Sequence, residues 1–184
     1  DKKRFGVISV GKQNAQPFVK RLQEYAPIEN ISRLNTQSTD KEIKGIVDVI
    51  SHSTQTIIAI FSDKKEEIQL AEKILKKAPG KVLVFFTSPY SIPKYEELTA
   101  ESEAIIVAYE NNPVMQECAA EVLFGGTSAD GKLPVSTGKY PQGSGIFIPE
   151  CRLGHAFPEE VDMDSRILSR IDSIVQEGID SMAF

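Results

Sequence analysis

The sequence predicts an α/β protein built on a doubly wound, mainly parallel sheet with helices on both faces. Two observations carry this prediction. Short apolar runs bounded by glycine, proline or polar turns recur along the chain: FGVISVG at 5–11, QTIIAIF at 55–61, VLVFF at 82–86 and AIIVAY at 104–109. Between them lie stretches whose apolar residues repeat at helical spacing. Continuous apolar runs suit strands buried on both faces, and strands alternating with amphipathic helices imply crossovers between parallel neighbours.

Phe5–Gly11 is the first strand. Pro17 opens a helix with Phe18, Leu22, Tyr25 and Ala26 on its inner face, and Pro27 closes it. Ile28–Leu34 alternates more weakly and is expected at the outside of the sheet. Thr39-Asp40-Lys41-Glu42 is a capping box: hydroxyl and carboxylate can each satisfy one orphan amide at a helix start. The helix behind it is expected to bury Ile43, Ile46, Val47 and Ile50. Gln55–Phe61 is the third strand, after which Ser62-Asp63 should cap a helix running to Ala78. Lys73, Lys76 and Lys77 favour the negative end of that helix. Val82–Phe86, the fourth strand, is the most apolar; a turn at Thr87-Ser88-Pro89-Tyr90 precedes a short helical patch around Lys94–Leu98. Ala104–Tyr109 is the fifth strand, expected to be buried. The expected strand order is 2-1-3-4-5, flavodoxin-like, with a further edge strand from Lys132–Ser136.

The stretch from Glu103 to Pro134 organises the rest. Asn111-Asn112 turns the chain out of the fifth strand, and Pro113 starts a helix at a position where a missing amide costs nothing. Gly125-Gly126 ends it. Val114, Cys118 and Val122 repeat every four residues, beside Met115, Ala119 and Leu123, so that side is expected to face inward. Beyond Gly138 the chain turns glycine- and proline-rich (GKYPQGSGIFIP), an arm rather than core, and 150–163 is a linker. Asp164 then starts an amphipathic helix bearing Ile167, Leu168, Ile171, Ile174, Val175 and Ile179, a stripe expected to dock on this domain or on a second copy of the chain.

Composition narrows the function classes. With 184 residues the chain can bury roughly 70% of its unfolded surface. A net charge of −5 argues against nucleic acid or an anionic membrane as partner. No apolar run nears the ~18 residues of a membrane span. Two cysteines make no framework; Cys118 is expected in the core and Cys151 in a loop, with a bridge between them left open. Asp1 in place of a methionine suggests a piece of a longer protein, which leaves the compartment open.

Chemical motifs are sparse. There is no GxGxxG and no GxxxxGK[ST], and no cofactor is expected. His52 and His155 lack neighbours at metal-ligand spacing and are expected at the surface, so no metal is expected either. Ser88 stands before a proline without a nucleophile-elbow context, where a turn cap is the simpler role. The acid pairs Glu66/Glu67, Glu96/Glu97, Glu101/Glu103 and Glu159/Glu160 suit solvated faces, and none is selected as catalytic.

The helix opened by Asn112-Pro113-Val114 and closed by Leu123-Phe124-Gly125, followed by Ser128-Ala129-Asp130-Gly131-Lys132-Leu133-Pro134-Val135, resembles the second domain of glycoside hydrolase family 3. The resemblance implies a parent enzyme that removes terminal β-linked sugars. Its nucleophile, an aspartate, would sit on a preceding (β/α)8 barrel absent from this chain. In the β-glucosidase branch the second domain supplies a glutamate as general acid; in the β-N-acetylglucosaminidase branch a His–Asp pair on the barrel does so. No glutamate here aligns with the former, which favours the latter. The chain would then be non-catalytic, with the barrel as partner, carbohydrate reached through it, and a bacterial periplasm or cell envelope as setting. The stretch from Pro158 onward resembles the opening helix of a serine β-lactamase-like domain, ahead of its Ser-x-x-Lys nucleophile.

Open α/β sheets bind ligands at the carboxyl ends of their strands. The candidate framing residues are therefore Lys12, Gln13 and Asn14 after the first strand, and Ser62 and Asp63 after the third. Thr87, Ser88 and Tyr90 follow the fourth, and Glu110, Asn111 and Asn112 the fifth. Two other readings stay open: a module recognising a small ligand or protein partner at those ends, and a free-standing enzyme of flavodoxin-like fold.

Overall fold

The structure, a computed structural model, describes residues 4–28, 30–152 and 157–182. The chain divides into two compact units, Asp1–Arg152 and Leu153–Phe184. The first holds strands β1 (Phe5–Val10), β2 (Asn30–Leu34), β3 (Gln55–Ile60), β4 (Lys81–Phe85) and β5 (Ala104–Val107). Between them run helices α1 (Gln16–Tyr25), α2 (Asp40–His52), α3 (Lys65–Leu75) and α4 (Glu96–Ala100), and α5 (Pro113–Phe124) follows β5. A 3₁₀ segment, Pro89–Tyr95, leads into α4 in place of the expected short helical patch alone. All strand pairs are parallel, in the order β2-β1-β3-β4-β5.

Each sheet face has its own core. On one, Ile8, Ile58, Leu83 and Phe85 pack against Ile46 and Ile50 of α2, Ala71 and Leu75 of α3, and Tyr95. On the other, Val7, Ile57, Val84 and Phe86 pack against Phe18 and Leu22 of α1 and Ala119 and Ala120 of α5. Strands β1, β3 and β4 read as unbroken apolar runs because both their faces are covered. β5 is an edge strand, so it is only half-buried and pairs no further than Val107. Beyond it Tyr109 takes a left-handed conformation (φ 64°) that swings the chain toward α5.

Several helices face differently from the sequence expectation. The capping box of α2 forms: Glu42 N donates to Thr39 Oγ1 at 3.3 Å and Thr39 N to Glu42 Oε2 at 2.7 Å. Val47 nevertheless points to solvent, because the sheet contacts only the line through Ile43, Ile46 and Ile50. α3 starts at Lys65 with no side-chain cap; Ser62 Oγ instead accepts from Lys64 N in the turn before it. The helix also stops at Leu75, short of Ala78.

α5 carries the largest correction. Val114 is 67% exposed and Cys118 is exposed, so the repeat that begins with them lies away from the sheet, with Val122 half-buried at its end. The buried line is Gln116, Ala119 and Ala120, with Met115 and Leu123 packed beside it. Small alanines let α5 lie close to the sheet and α1, and close approach outweighs the larger apolar residues on the other side. Both cysteines are free. The helix ends in a Schellman turn, Gly126 N donating to Glu121 O at 2.8 Å around Gly125 at φ 75°. A side chain on Gly126 would collide with the Tyr25 hydroxyl of α1.

Lys132–Ser136 does not join the sheet, whose five strands are complete without it. Pro134 cannot donate to a ladder. Leu133 instead exchanges hydrogen bonds with Ser144 and Gly143, each 2.8 Å, and Ala129 pairs antiparallel with Ile148. The arm thus folds back on itself and is pinned by Thr137, whose hydroxyl donates to Pro89 O at 2.8 Å.

The second unit is helical: a 3₁₀ turn at Pro158–Val161, α6 (Ser165–Leu168) and α7 (Arg170–Asp180), interrupted at Ser169. Asp164 caps α6 by accepting from Arg166 N at 2.8 Å. Ile167, Ile171, Ile174, Val175 and Ile179 are all exposed.

Candidate functional site

Parallel strands all point their carboxyl ends the same way, so the loops after β1, β3, β4 and β5 gather along one rim. The expected framing residues lie there as two groups held by different helices. After β1 and β5, Lys12, Gln13 and Asn14 are exposed, as are Glu110 and Asn111. Asn112 caps α5, its Oδ1 accepting from Met115 N at 2.9 Å while its Nδ2 donates to Glu110 Oε2 at 3.1 Å. Asn14 Oδ1 accepts from Gln16 N at 3.0 Å where α1 begins.

These two loops leave strands that are not neighbours, and one side chain joins them. Gln116, 3% exposed, donates from Nε2 to Asn14 O at 2.9 Å and to Asn111 Oδ1 at 2.7 Å. Its Oε1 accepts from Phe18 N at 3.2 Å, satisfying an orphan amide in the first turn of α1. Gln116 was not among the residues expected to matter. The signal was present: Gln116, Ala119, Ala120 and Leu123 follow the 0, 3, 4, 7 spacing of an inward face, with a polar residue at its rim end.

After β3 and β4, Ser62 is buried and its carbonyl accepts from the Tyr95 hydroxyl at 2.7 Å. Burial, reinforced by the charges of Glu67, Asp63 and Glu72, raises the Tyr95 phenol well above its ordinary value of 10.0 and keeps it neutral. Asp63 Oδ2 accepts from Lys94 Nζ at 2.9 Å; that bond, then the ammonium charge, holds the carboxyl below 3.8. Ser88 caps the 3₁₀ segment through a long 3.4 Å bond from Tyr90 N, as expected, and Tyr90 is 58% exposed. Thr87 Oγ1 is buried with no hydrogen-bond partner among the described residues. Glu67 is 4% exposed, which corrects the expectation of a solvated Glu66/Glu67 pair: the first turn of α3 sets Glu66 outward and its neighbour against the core.

The rim therefore offers amides, one ion-paired carboxylate and hydroxyls. Among the described residues no group of three or more His, Cys, Asp or Glu could hold a metal. His52 sits exposed at the end of α2, bonded to Asp48 O through Nδ1 at 2.9 Å; His155 lies outside the described residues. Two grooves open on this unit, one of them reaching the rim at Asn14. One of ≈ 440 Å³ runs beside β2 past Asn14, Gln23 and Arg33; the other, ≈ 260 Å³, lies between Ile92 and Tyr140. No helix of the described residues is long and apolar enough to cross a membrane.

No protein-family model matches the chain, and no curated protein matches it. Among solved structures, 84% of the chain superposes on a glycoside hydrolase family 3 β-N-acetylglucosaminidase from Paenibacillus sp. str. FPU-7, with a TM-score of 0.54 and 16% identity. The fold is shared. The superposed region is 28% of that enzyme's chain, so the present chain spans little more than a quarter of the protein it resembles. The likeness fits an α/β domain of a larger protein.

Proposed function

We propose that the first unit is the second, α/β domain of a family 3 exo-acting β-glycosidase, of the β-N-acetylglucosaminidase branch, and is non-catalytic by itself. Its strand-end rim frames the active site of a (β/α)8 barrel in the same parent protein, and carbohydrate reaches it through that barrel. Lys12, Gln13, Asn14, Ser62, Asp63, Thr87, Ser88, Tyr90, Glu110, Asn111 and Asn112 are the framing residues. Behind the 150–163 linker, the stretch 164–184 opens a serine β-lactamase-like domain, and the parent works in a bacterial periplasm or cell envelope.

One coincidence carries the reading. Over 84% of its length the chain shares the fold of part of a family 3 enzyme, and the block from Asn112 to Val135 resembles the second domain of that family. The chemistry of the rim supports a framing role. Retaining hydrolysis uses two carboxylates about 5 Å apart across the sugar. On this rim Asp63 is bound to Lys94 and Glu110 to Asn112, an arrangement suited to holding loops in place.

Aryl β-N-acetylglucosaminide and aryl β-glucoside turnover by the chain alone should match the buffer blank. A longer chain that adds the barrel should cleave one of them, and removal of residues 1–150 from it should weaken that activity. Turnover by the present chain that a single Glu→Gln change abolishes would overturn the assignment.

A further inference from the structure

We propose that Gln116 is a positioning residue that decides which end of the Asn111 amide the rim presents, so that the β5–α5 loop meets a ligand with an N–H donor and selects acceptor oxygens. The inference deepens the proposed function and, for its ligand, rests on it. The geometry stands independently.

The polarity follows from groups that have no choice. The Phe18 backbone amide can only donate, so the Gln116 atom facing it is the oxygen. The Asn14 backbone carbonyl can only accept, so the Gln116 atom facing it, 2.9 Å away, is the nitrogen. That nitrogen has a second proton, directed at Asn111 2.7 Å away, and the Asn111 atom there must be its oxygen. The Asn111 Nδ2, with two donor hydrogens, then points away from the buried glutamine on an exposed residue. An asparagine in an ordinary loop could turn its amide either way at little cost. Here the reversed orientation would set two N–H groups against each other and leave a proton of the buried Gln116 without an acceptor, which disfavours it. Glu110, held beside it by Asn112 at 3.1 Å, adds an acceptor. A loop that carries both a donor and a carboxylate suits a hydroxyl, which both accepts and donates.

The side-chain amide protons of the intact chain, followed by NMR exchange, test the polarity. Those of Gln116 should exchange at least roughly tenfold more slowly than those of Asn111, as an internal hydrogen bond protects them. Asn111→Asp keeps an oxygen toward Gln116 and removes the outward donor; it should leave Gln116 protected. Asn111→Leu removes the acceptor and should speed exchange of the one Gln116 proton that faced it, leaving the proton on the Asn14 carbonyl slow. Slow exchange at Asn111 in the parent chain, or loss of Gln116 protection in Asn111→Asp, overturns the proposal. In a longer, barrel-containing chain, Asn111→Asp should raise KM roughly tenfold with kcat little changed, the mark of a lost binding contact. An unchanged KM there overturns the ligand assignment. An inactive parent enzyme would instead sink the glycosidase reading and leave the exchange result standing.

Discussion

Tyr95 shows how a single side chain can tie a helix to the rim. Its ring is fully buried against Phe85, and its hydroxyl is spent on the carbonyl of Ser62, the second residue after β3. The phenol is raised above 10.0, first by burial and then by the surrounding carboxylates. An unfolded chain loses that proton near 10, whereas the folded chain retains it. The stabilisation is therefore fully present below pH 10 and is lost as pH rises toward the folded value. Tyr95→Phe should cost about 1–2 kcal/mol at neutral pH, because the Ser62 carbonyl is left buried without a partner. Chemical denaturation of both proteins should show that gap narrowing above pH 10; a constant gap would mean the hydroxyl is not held as described. Nothing in the sequence singles Tyr95 out, since its partner lies in another loop. Gln116 differs only in degree: its spacing with Ala119 and Ala120 marks it as inward, but its partners Asn14 and Phe18 lie about a hundred residues earlier.

At the scale of elements, the strands and their order were legible because they rest on local signals. Apolar runs too short for helices mark β1, β3 and β4, and the Thr39–Glu42 capping box marks the start of α2 to the residue. The facing of α5 was ambiguous. That helix is apolar nearly all round, so its periodicity offers two inward lines, one through Val114 and Cys118 and one through Gln116, Ala119 and Ala120; the alanines that permit close packing decide for the second. The arm failed for a related reason. Gly-Lys-Leu-Pro-Val has the composition of an edge strand, yet hydrogen bonds to its own downstream residues satisfy it first. The double glycine ending α5 divides its labour, Gly125 supplying the left-handed turn and Gly126 the space for Tyr25. Gly126→Ala should accordingly cost about 1–3 kcal/mol through overpacking against α1. The exposed Lys77→Ala should stay within about 0.5 kcal/mol. Equal urea midpoints for the two would show that α1 and α5 yield at no cost.

For the whole molecule, the two units differ in what they bury. Val84 and its neighbours in β4 are closed off on both faces, whereas the isoleucines of α7 remain in solvent. Amide exchange should reflect this: protection across Val82–Phe86 should approach the global stability, and that across Ile167–Val175 should fall well short of it. Equal protection would mean the tail helix belongs to a core of its own or to this one.

The last residues of the first unit are anchored in a way that bears on mechanics. The amides of Cys151 and Arg152 both donate to the Gly125 carbonyl, at 3.0 and 2.9 Å. Any pull exerted from beyond Arg152 therefore arrives at the glycine end of α5 before it reaches a strand. Two bonds converging on one oxygen would part first and the Ala129–Ile148 pairing of the arm next, so the anchorage acts as a fuse that gives way before any strand of the sheet is loaded.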